Sequence, residues 1–350
     1  MIMKCVLTLA VGTLGWTIAR KLKIPAPAMI GSMLAVGILN MIFDFAWLPL
    51  VIKNFTQGIA GTFIGMQLKI EDLRNIKKLA KPILLLVLMF TLNTFVVGIA
   101  ISIICKMDLL TALLSCVAGG VTDMSLISMD MGAVTSTVAL IQTSRLISAL
   151  LFFPIWIMAF TQGQGKKSAM EPEGEAKISK SAAQSGKGNG PVTLTAAFLF
   201  SYLGSLTPIP AGSLIFAMFG ILLLNCTTPL IGVDKRVKSI GQLFAGSLVG
   251  VSITRETFLT LPQLILPVLI LLVSFWIINF LYAQICVRTH MLDLQSALFA
   301  SCPAGASDMA LIASDLGADL GKIGLIQVIR LVAAVSLMPQ LIQIFMLLVS

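Results

Sequence analysis

The segment ALLSCVAGGVTDMSLISMDMGA at 112–133 returns as ALFASCPAGASDMALIASDLGA at 297–318, 185 positions further on. The register then holds without a gap, VALIQTSRLISALLFFP at 138–154 facing IGLIQVIRLVAAVSLMP at 323–339. The same offset pairs Ile24, Pro25 and Ala26 with Ile209, Pro210 and Ala211, Asn40 with Asn225, Gln57 with Gln242, Gly61 with Gly246 and Gly65 with Gly250. A chain written twice folds as two copies of one unit, so every element argued for one half is argued for the other. The halves are 1–160 and 193–350. The stretch between them, 161–192, is rich in Gly, Ser, Lys and Glu and has nothing to bury, which predicts a flexible, solvated, cytoplasmic linker.

The charges decide which solvent that unit folds in. Only 11% of the 350 residues are Asp, Glu, Lys or Arg, against 57% hydrophobic, whereas a soluble domain carries about 25% charged residues. So few charges cannot cover a surface in water. The composition excludes a soluble globule, a disordered chain and a nucleic-acid-binding domain. It predicts an all-α polytopic protein of the cell (inner or plasma) membrane. In the first half the apolar segments run about 5–19, 24–43, 55–68, 82–105, 109–128 and 136–160. The first and third are short for a full span of about 20 residues. The heavier basic cluster, Arg20, Lys21 and Lys23, follows the run 5–19, which fits a first membrane helix with its N-terminus outside rather than a cleavable leader. The six cysteines are scattered without CxxC spacing and read as small core hydrophobes.

Segment 109–128 does not read as a plain span. Gly119, Gly120, Thr122 and Asp123 interrupt it, and Pro303, Gly305, Ser307 and Asp308 interrupt its counterpart. Backbone facing lipid has to be helical, so this segment is expected to be broken or re-entrant, against protein or a water-filled cavity. If it turns back, each half has an odd number of full spans and the second half enters the membrane from the other side. Six crossings per half would instead give a parallel repeat with the linker outside. The basic residues favour inversion. In the first half they cluster after the first helix; in the second they cluster after the second, at Lys235, Arg236 and Lys238. With the N-terminus outside, these loops and the linker are cytoplasmic, and 43–54 and 254–260 are extracytoplasmic. The expectation is an inverted repeat of about five transmembrane helices plus one broken helix in each half.

The broken segment also carries the least ordinary chemistry. Asp123 and Asp130, like Asp308 and Asp315, stand seven residues apart and so share a helix face. The next helix offers Gln142 and Arg145, and in the second half Gln327 and Arg330, each pair three apart on one face. An ionisable group at membrane depth costs about 2.5–3.5 kcal/mol on insertion scales, so it faces the bundle and takes a partner. Two readings stay open. In one, each Asp caps a half-helix and each Arg pairs with an Asp to hold the fold. In the other, the half-helix ends bind a polar substrate or a coupling ion at the repeat interface. That site comprises Thr122, Asp123, Gln142, Arg145, Ser307, Asp308, Gln327 and Arg330, with Asp130, Asp315, Gly119, Gly120 and Gly305 in support. Inversion would bring both motifs together near the bilayer midplane around one cavity, holding Na⁺ among Asp, hydroxyl and carbonyl oxygens or H⁺ on the Asp.

The run Cys116, Val117, Gly119, Gly120, Asp123, Met124, then Gly132-Ala133 and Leu140-Ile141-Gln142 with Arg145, preceded by Ile24-Pro25-Ala26-Pro27 and Gly31, resembles the membrane AbrB family. The second half resembles it as well. Ala118 stands where that family often has the proline that Pro303 keeps, and Asp123 and Asp308 stand where it often has glutamate. The resemblance implies a multi-pass inner-membrane protein, labelled in this family as an ammonia monooxygenase, with a role in regulating gene expression attached to some members. The enzyme label finds no residues to rest on. A monooxygenase needs a redox metal held by several imidazoles or carboxylates, and His290 is the one histidine. No catalytic residue, metal or cofactor is therefore expected. The expected partners are the lipid bilayer and a small-molecule or ion substrate, with homo-oligomerisation left open. Nucleic acid is not among them, because the linker is too short and too mixed in charge for a DNA-binding module. Inverted repeats, broken central helices and paired buried charges are shared with secondary transporters. The alternative is a membrane sensor that affects gene expression indirectly through the same pocket.

Overall fold

The computed structural model of the chain describes residues 2–22, 24, 26–49, 51–67, 70–161, 189–227, 233–255, 261–303 and 320–349. Its regular structure is helical. The first half supplies α1 (Ile2–Lys21), α2 (Pro27–Phe43), α3 (Val51–Gly65), α4 (Ile70–Cys105), α5 (Leu109–Cys116), α6 (Val121–Met131) and α7 (Thr135–Thr161). The second supplies α8 (Gly190–Ser205), α9 (Gly212–Thr227), α10 (Lys235–Val251), a short 3-10 turn Leu261–Leu264 leading into α11 (Ile265–Arg288), α12 (Leu294–Ala300), α13 (Leu320–Ser336) and α14 (Met338–Val349). Displaced by 185 positions, the helices of one half fall on those of the other, α13 and α14 together matching α7. The counterpart of α6 lies outside the described residues, as do 162–188 of the expected linker.

Among the described residues four stretches, Leu79–Cys105, Thr135–Phe153, Pro262–Arg288 and Lys322–Val349, are long and apolar enough to cross a membrane. Along α4, Leu84, Leu88, Leu92 and Val96 are each more than half exposed, while Leu86, Phe90, Asn93 and Thr94 on the other face are buried. An exposed leucine stripe with a core-facing stripe behind it is the pattern of a lipid-facing helix. The chain is a polytopic α-helical membrane protein. Segment 5–19 proves longer than its apolar core. The 20-residue α1 takes in charged ends and spans about 30 Å, while the 15-residue α3 stays near 22 Å.

Close contacts fix the direction of each half. A Cβ on Gly246 would stand 2.2 Å from the Met29 carbonyl oxygen, and one on Gly250 2.8 Å from that of Met33. Further along, the Asn40 amide donates to the Val251 and Ile253 carbonyls at 2.9 and 3.2 Å. Numbers rise together, so α2 and α10 run parallel. The mirror contacts recur in the other half, Gly61 against the Leu214 carbonyl and Gly65 against that of Met218, so α3 and α9 also run parallel. Between these pairs, Phe55 meets Phe244 and Gly241 meets Ile59, which sets α3 antiparallel to α10. Hence α2 opposes its own repeat mate α9, and α3 opposes α10. A parallel repeat would have set α2 against α10 head to tail. The repeat is inverted.

The inverted twofold passes through the core. Phe90 and Phe275, repeat mates on α4 and α11, meet edge to face at 5.7 Å, and the Tyr282 hydroxyl donates to the Pro82 carbonyl further along the same antiparallel pair. Around them Leu86, Phe153, Leu271 and Phe299 are fully buried. The shared Ile-Pro-Ala motif also has a structural reason. Ala26 and Ala211, which lead into α2 and α9, are both left-handed, with φ of 47° and 58°, a conformation that non-glycine residues adopt at a cost of about 1–3 kcal/mol where surroundings impose it.

Candidate functional site

Segment 109–128 is broken where its glycines stand. Helix α5 ends at Cys116, residues 117–120 are extended or irregular, and α6 starts at Val121 behind the cap residue Gly120. In the second half α12 ends at Ala300 and the chain leaves the helix through Ser301, Cys302 and Pro303. Ending a helix inside the bundle frees carbonyls that have no water to turn to. Two side chains of the neighbouring α7 take them up. The Gln142 amide nitrogen donates to the carbonyls of Leu114, Ser115 and Val117 at 3.1, 3.3 and 2.9 Å. Arg145, one turn along on α7, donates to Val117 at 3.0 Å and Gly119 at 2.6 Å. From α4, the Thr94 hydroxyl, which donates to the Phe90 carbonyl of its own helix at 2.9 Å, stands 3.5 Å from the Cys116 carbonyl.

The second break is held alike. Gln327 donates to the Phe299 carbonyl at 2.7 Å, Arg330 to that of Cys302, and Asn279, the repeat mate of Thr94, to that of Leu298 at 2.8 Å. The glutamine and arginine spacing therefore serves half-helix ends. Among the described residues Arg145 pairs with no motif aspartate, contrary to the first of the two expectations. Its charge is met by the negative end of the α5 dipole, roughly half an elementary charge, and by the face of Phe275, 6.0 Å from its guanidinium carbon. Arg330 stands likewise 5.8 Å from Phe90. The inverted axis thus runs through an Arg–Phe–Phe–Arg array.

Asp123 occupies the first turn of α6, at the positive end of that helix. It is 8% exposed and makes no hydrogen bond or ion pair among the described residues. Its Oδ2 folds back over Gly120, where a Cβ would stand 2.4 Å from it. Thr122 beside it is half-buried. Ser307, Asp308, Asp315 and Gly305 lie outside the described residues. Gly119 has Met124 packed over it, 2.8 Å from a Cβ position.

Asp130, two turns along α6, was expected only in support, yet it has the richer surroundings. Its carboxylate accepts from Lys53 at 2.5 Å and from the Gln57 amide at 2.6 Å, tying the end of α6 to α3. This is the one ion pair among the described residues. It lines a cavity of about 620 Å³ whose walls come from both halves. Lys53, Gln57, Leu110, Asp130 and Met131 belong to the first, and Thr207, Pro210, Ser213, Gln343 and Met346 to the second. Of the sequence-predicted site residues Asp130 alone lines it, so Thr122, Asp123 and Gln142 do not open into this cavity. Lys53 and Gln57 went unrecognised in the sequence, although a signal existed: they recur at the same offset as Lys238 and Gln242, one helical turn apart in both halves. No three of His, Cys, Asp or Glu come together as a metal cluster among the described residues.

A family model described as "Transition state regulatory protein AbrB" matches residues 1–79 and 45–346 of the chain. An uncharacterized protein of Bacillus subtilis (strain 168), YhjN, is 23% identical over 332 residues, covering 89% of this chain and 85% of its own length.

Proposed function

The chain belongs to the AbrB family, and from that premise we propose that it is a secondary transporter of a small polar or ionic solute in the cell membrane, a carrier rather than an enzyme. What supports the reading is the position of α6. This short helix is freed at one end by a chain break and anchored at the other by the Lys53–Asp130–Gln57 contact, beside a cavity that both inverted halves wall. In an inverted repeat a rocking of one half against the other exchanges which side such a cavity opens to. Breaking or making one ion pair at its rim is a step of the few kcal/mol that a bound solute supplies. Asp123 stands at the other end of the same helix, beside the break.

Uptake into proteoliposomes tests this, using radiolabelled small organic acids, amino acids and amines under imposed pH and Na⁺ gradients. Asp123→Asn and Asp308→Asn are expected to abolish gradient-driven uptake by folded, membrane-inserted protein, and the lipid-facing Leu88→Ala to leave it unchanged. Normal uptake by both Asn variants would make the aspartates structural. The description of the family as a regulator supports a second reading, a membrane sensor that uses the same pocket and acts on gene expression indirectly. A solute that raises the melting temperature without crossing the bilayer would favour it.

A further inference from the structure

From the wall of the cavity between the halves we infer that the solute is a zwitterion of the α-amino-acid class, and the inference rests on the carrier reading above. Its carboxylate takes the place of Asp130 between Lys53 and Gln57, and its ammonium pairs with the displaced Asp130. Two observations carry this. The first is that α3 presents a fork for a carboxylate. Lys53 and Gln57 stand one helical turn apart and project side by side, and they donate to different oxygens of one carboxylate, at 2.5 and 2.6 Å. Gln57 is buried and Lys53 half-buried, and both line the cavity. A cationic donor beside a neutral one, closing on both oxygens, recognises the carboxylate group and not this aspartate in particular. The second observation is that the occupant, Asp130, lines the same cavity. Among the described residues Lys53 and Asp130 are the charged groups of that wall, one of each sign.

A solute of one charge uses this arrangement only at a cost. An acid that enters the fork leaves Asp130 without its cation, and an amine that takes Asp130 leaves Lys53 without its anion. A half-buried charge so stranded is unfavourable. A zwitterion strands neither, because it fills the fork and neutralises Asp130 at once. Asp130 sits on the last turn of α6, which the left-handed Gly132 closes with its N–H on the Ser128 carbonyl, so the displaced carboxylate stays beside the fork. The two charges of the solute therefore lie within a few ångströms of each other, as on neighbouring carbons. Apolar Leu110, Met131 and Met346 in the wall face its side chain. The exchange also frees the end of α6 from α3, which links binding to movement of that helix. The cavity belongs to one face. Lys53 begins α3, Leu110 begins α5 and Asp130 ends α6, while the Val134 N–H beyond α6 donates to the Thr111 hydroxyl of α5. Helices α5 and α6 are thus a hairpin with both ends on that side, which with the linker inside is the extracytoplasmic one. The fork recurs as Lys238 and Gln242 in α10. That helix runs antiparallel to α3, so the second fork stands toward the opposite face, where a carrier releases what the first takes up.

Isothermal titration of the full chain in lipid nanodiscs tests this with alanine, glutamine and leucine, each beside its deaminated acid and its decarboxylated amine. At least one amino acid is expected to bind, about tenfold or more tighter than either of its one-charge analogues, the effect of one lost charge-assisted contact. Variants should then split the preference. In Asp130→Asn the fork has no resident carboxylate, and the deaminated acid should bind as well as the amino acid. In Lys53→Met the aspartate stands unpaired, and the amine should do so. Should either variant fail to fold, the ranking in the native protein decides alone. Three results would overturn the proposal: no binding by any of the three amino acids, an acid or amine that binds the native protein as tightly as its parent, or the native ranking kept in both variants. The carrier reading fails separately. An amino acid that binds with the expected ranking but does not enter proteoliposomes keeps the site and sinks transport. Uptake unchanged in the Lys53→Met/Asp130→Asn double variant sinks the site and keeps the carrier.

Discussion

The Val117 carbonyl oxygen accepts from both Gln142 and Arg145, which uses both of its lone pairs. Residues that share a partner couple, by roughly 0.5–3 kcal/mol, whereas residues without a common partner add within about 0.5 kcal/mol. Gln142→Ala and Arg145→Gln are therefore expected to be non-additive in thermal unfolding of the detergent-solubilised protein. Asp123→Asn and Arg145→Gln, which share no contact, should be additive. A coupled Asp123–Arg145 cycle would restore the ion pair that the geometry does not show. At this scale the sequence was half legible. The three-residue spacing of Gln and Arg put both on one face, and their burial followed from membrane depth. Their target could not be read, because the groups they serve are backbone carbonyls freed by a break, and a carbonyl has no letter. Asp130 was visible as an acid seven residues from Asp123, but its bond to Lys53 crosses between helices whose pairing the sequence leaves open.

Among the elements, α2 with α10 and α3 with α9 are close-packed pairs that join the two halves, and glycine makes each possible. Backbone stands 2.5 Å from a Cβ on Gly61 and 2.2 Å from one on Gly246, and backbone cannot swing aside as a side-chain tip can. Gly61→Ala and Gly246→Ala should each destabilise by about 1–3 kcal/mol through overpacking. Gly324, in α13 with nothing within 4 Å of its Cβ position, is the control. Gly324→Ala should be neutral or stabilise by up to about 1 kcal/mol, the helix-propensity difference. Melting temperatures of the three variants check both statements, and equal effects at all three positions would rule out helix contact as the reason for the glycines. The small-residue stripe at Gly61 and Gly65 was readable as a contact face. That its partner is α9, a helix from the other half, was not, since a stripe says how near a neighbour comes and not which one it is. The broken helix was the most legible element, because two glycines ahead of an aspartate are incompatible with a lipid-facing span.

For the whole molecule, the shift of the basic cluster from the first loop of one half to the second loop of the other foretold the inversion that the helix directions now show. The positive-inside bias then sets which face is cytoplasmic. Single cysteines at Phe45 and Thr254, placed in a cysteine-free background, should react with an impermeant maleimide in intact cells. One at Leu22 or in the linker should react only after lysis. Labelling of the linker from outside would reverse the assignment of the faces. The pairing of α3 with α9 has one more consequence, in time. Gly61 is synthesised about 150 residues before Leu214, and at roughly 5–20 residues per second the wait is on the order of ten to thirty seconds. Through that interval the first half sits in the bilayer with its glycine groove bare, a docking face that any passing small-residue helix could fill. The second half is in that sense the chaperone of the first, tethered to it and arriving late.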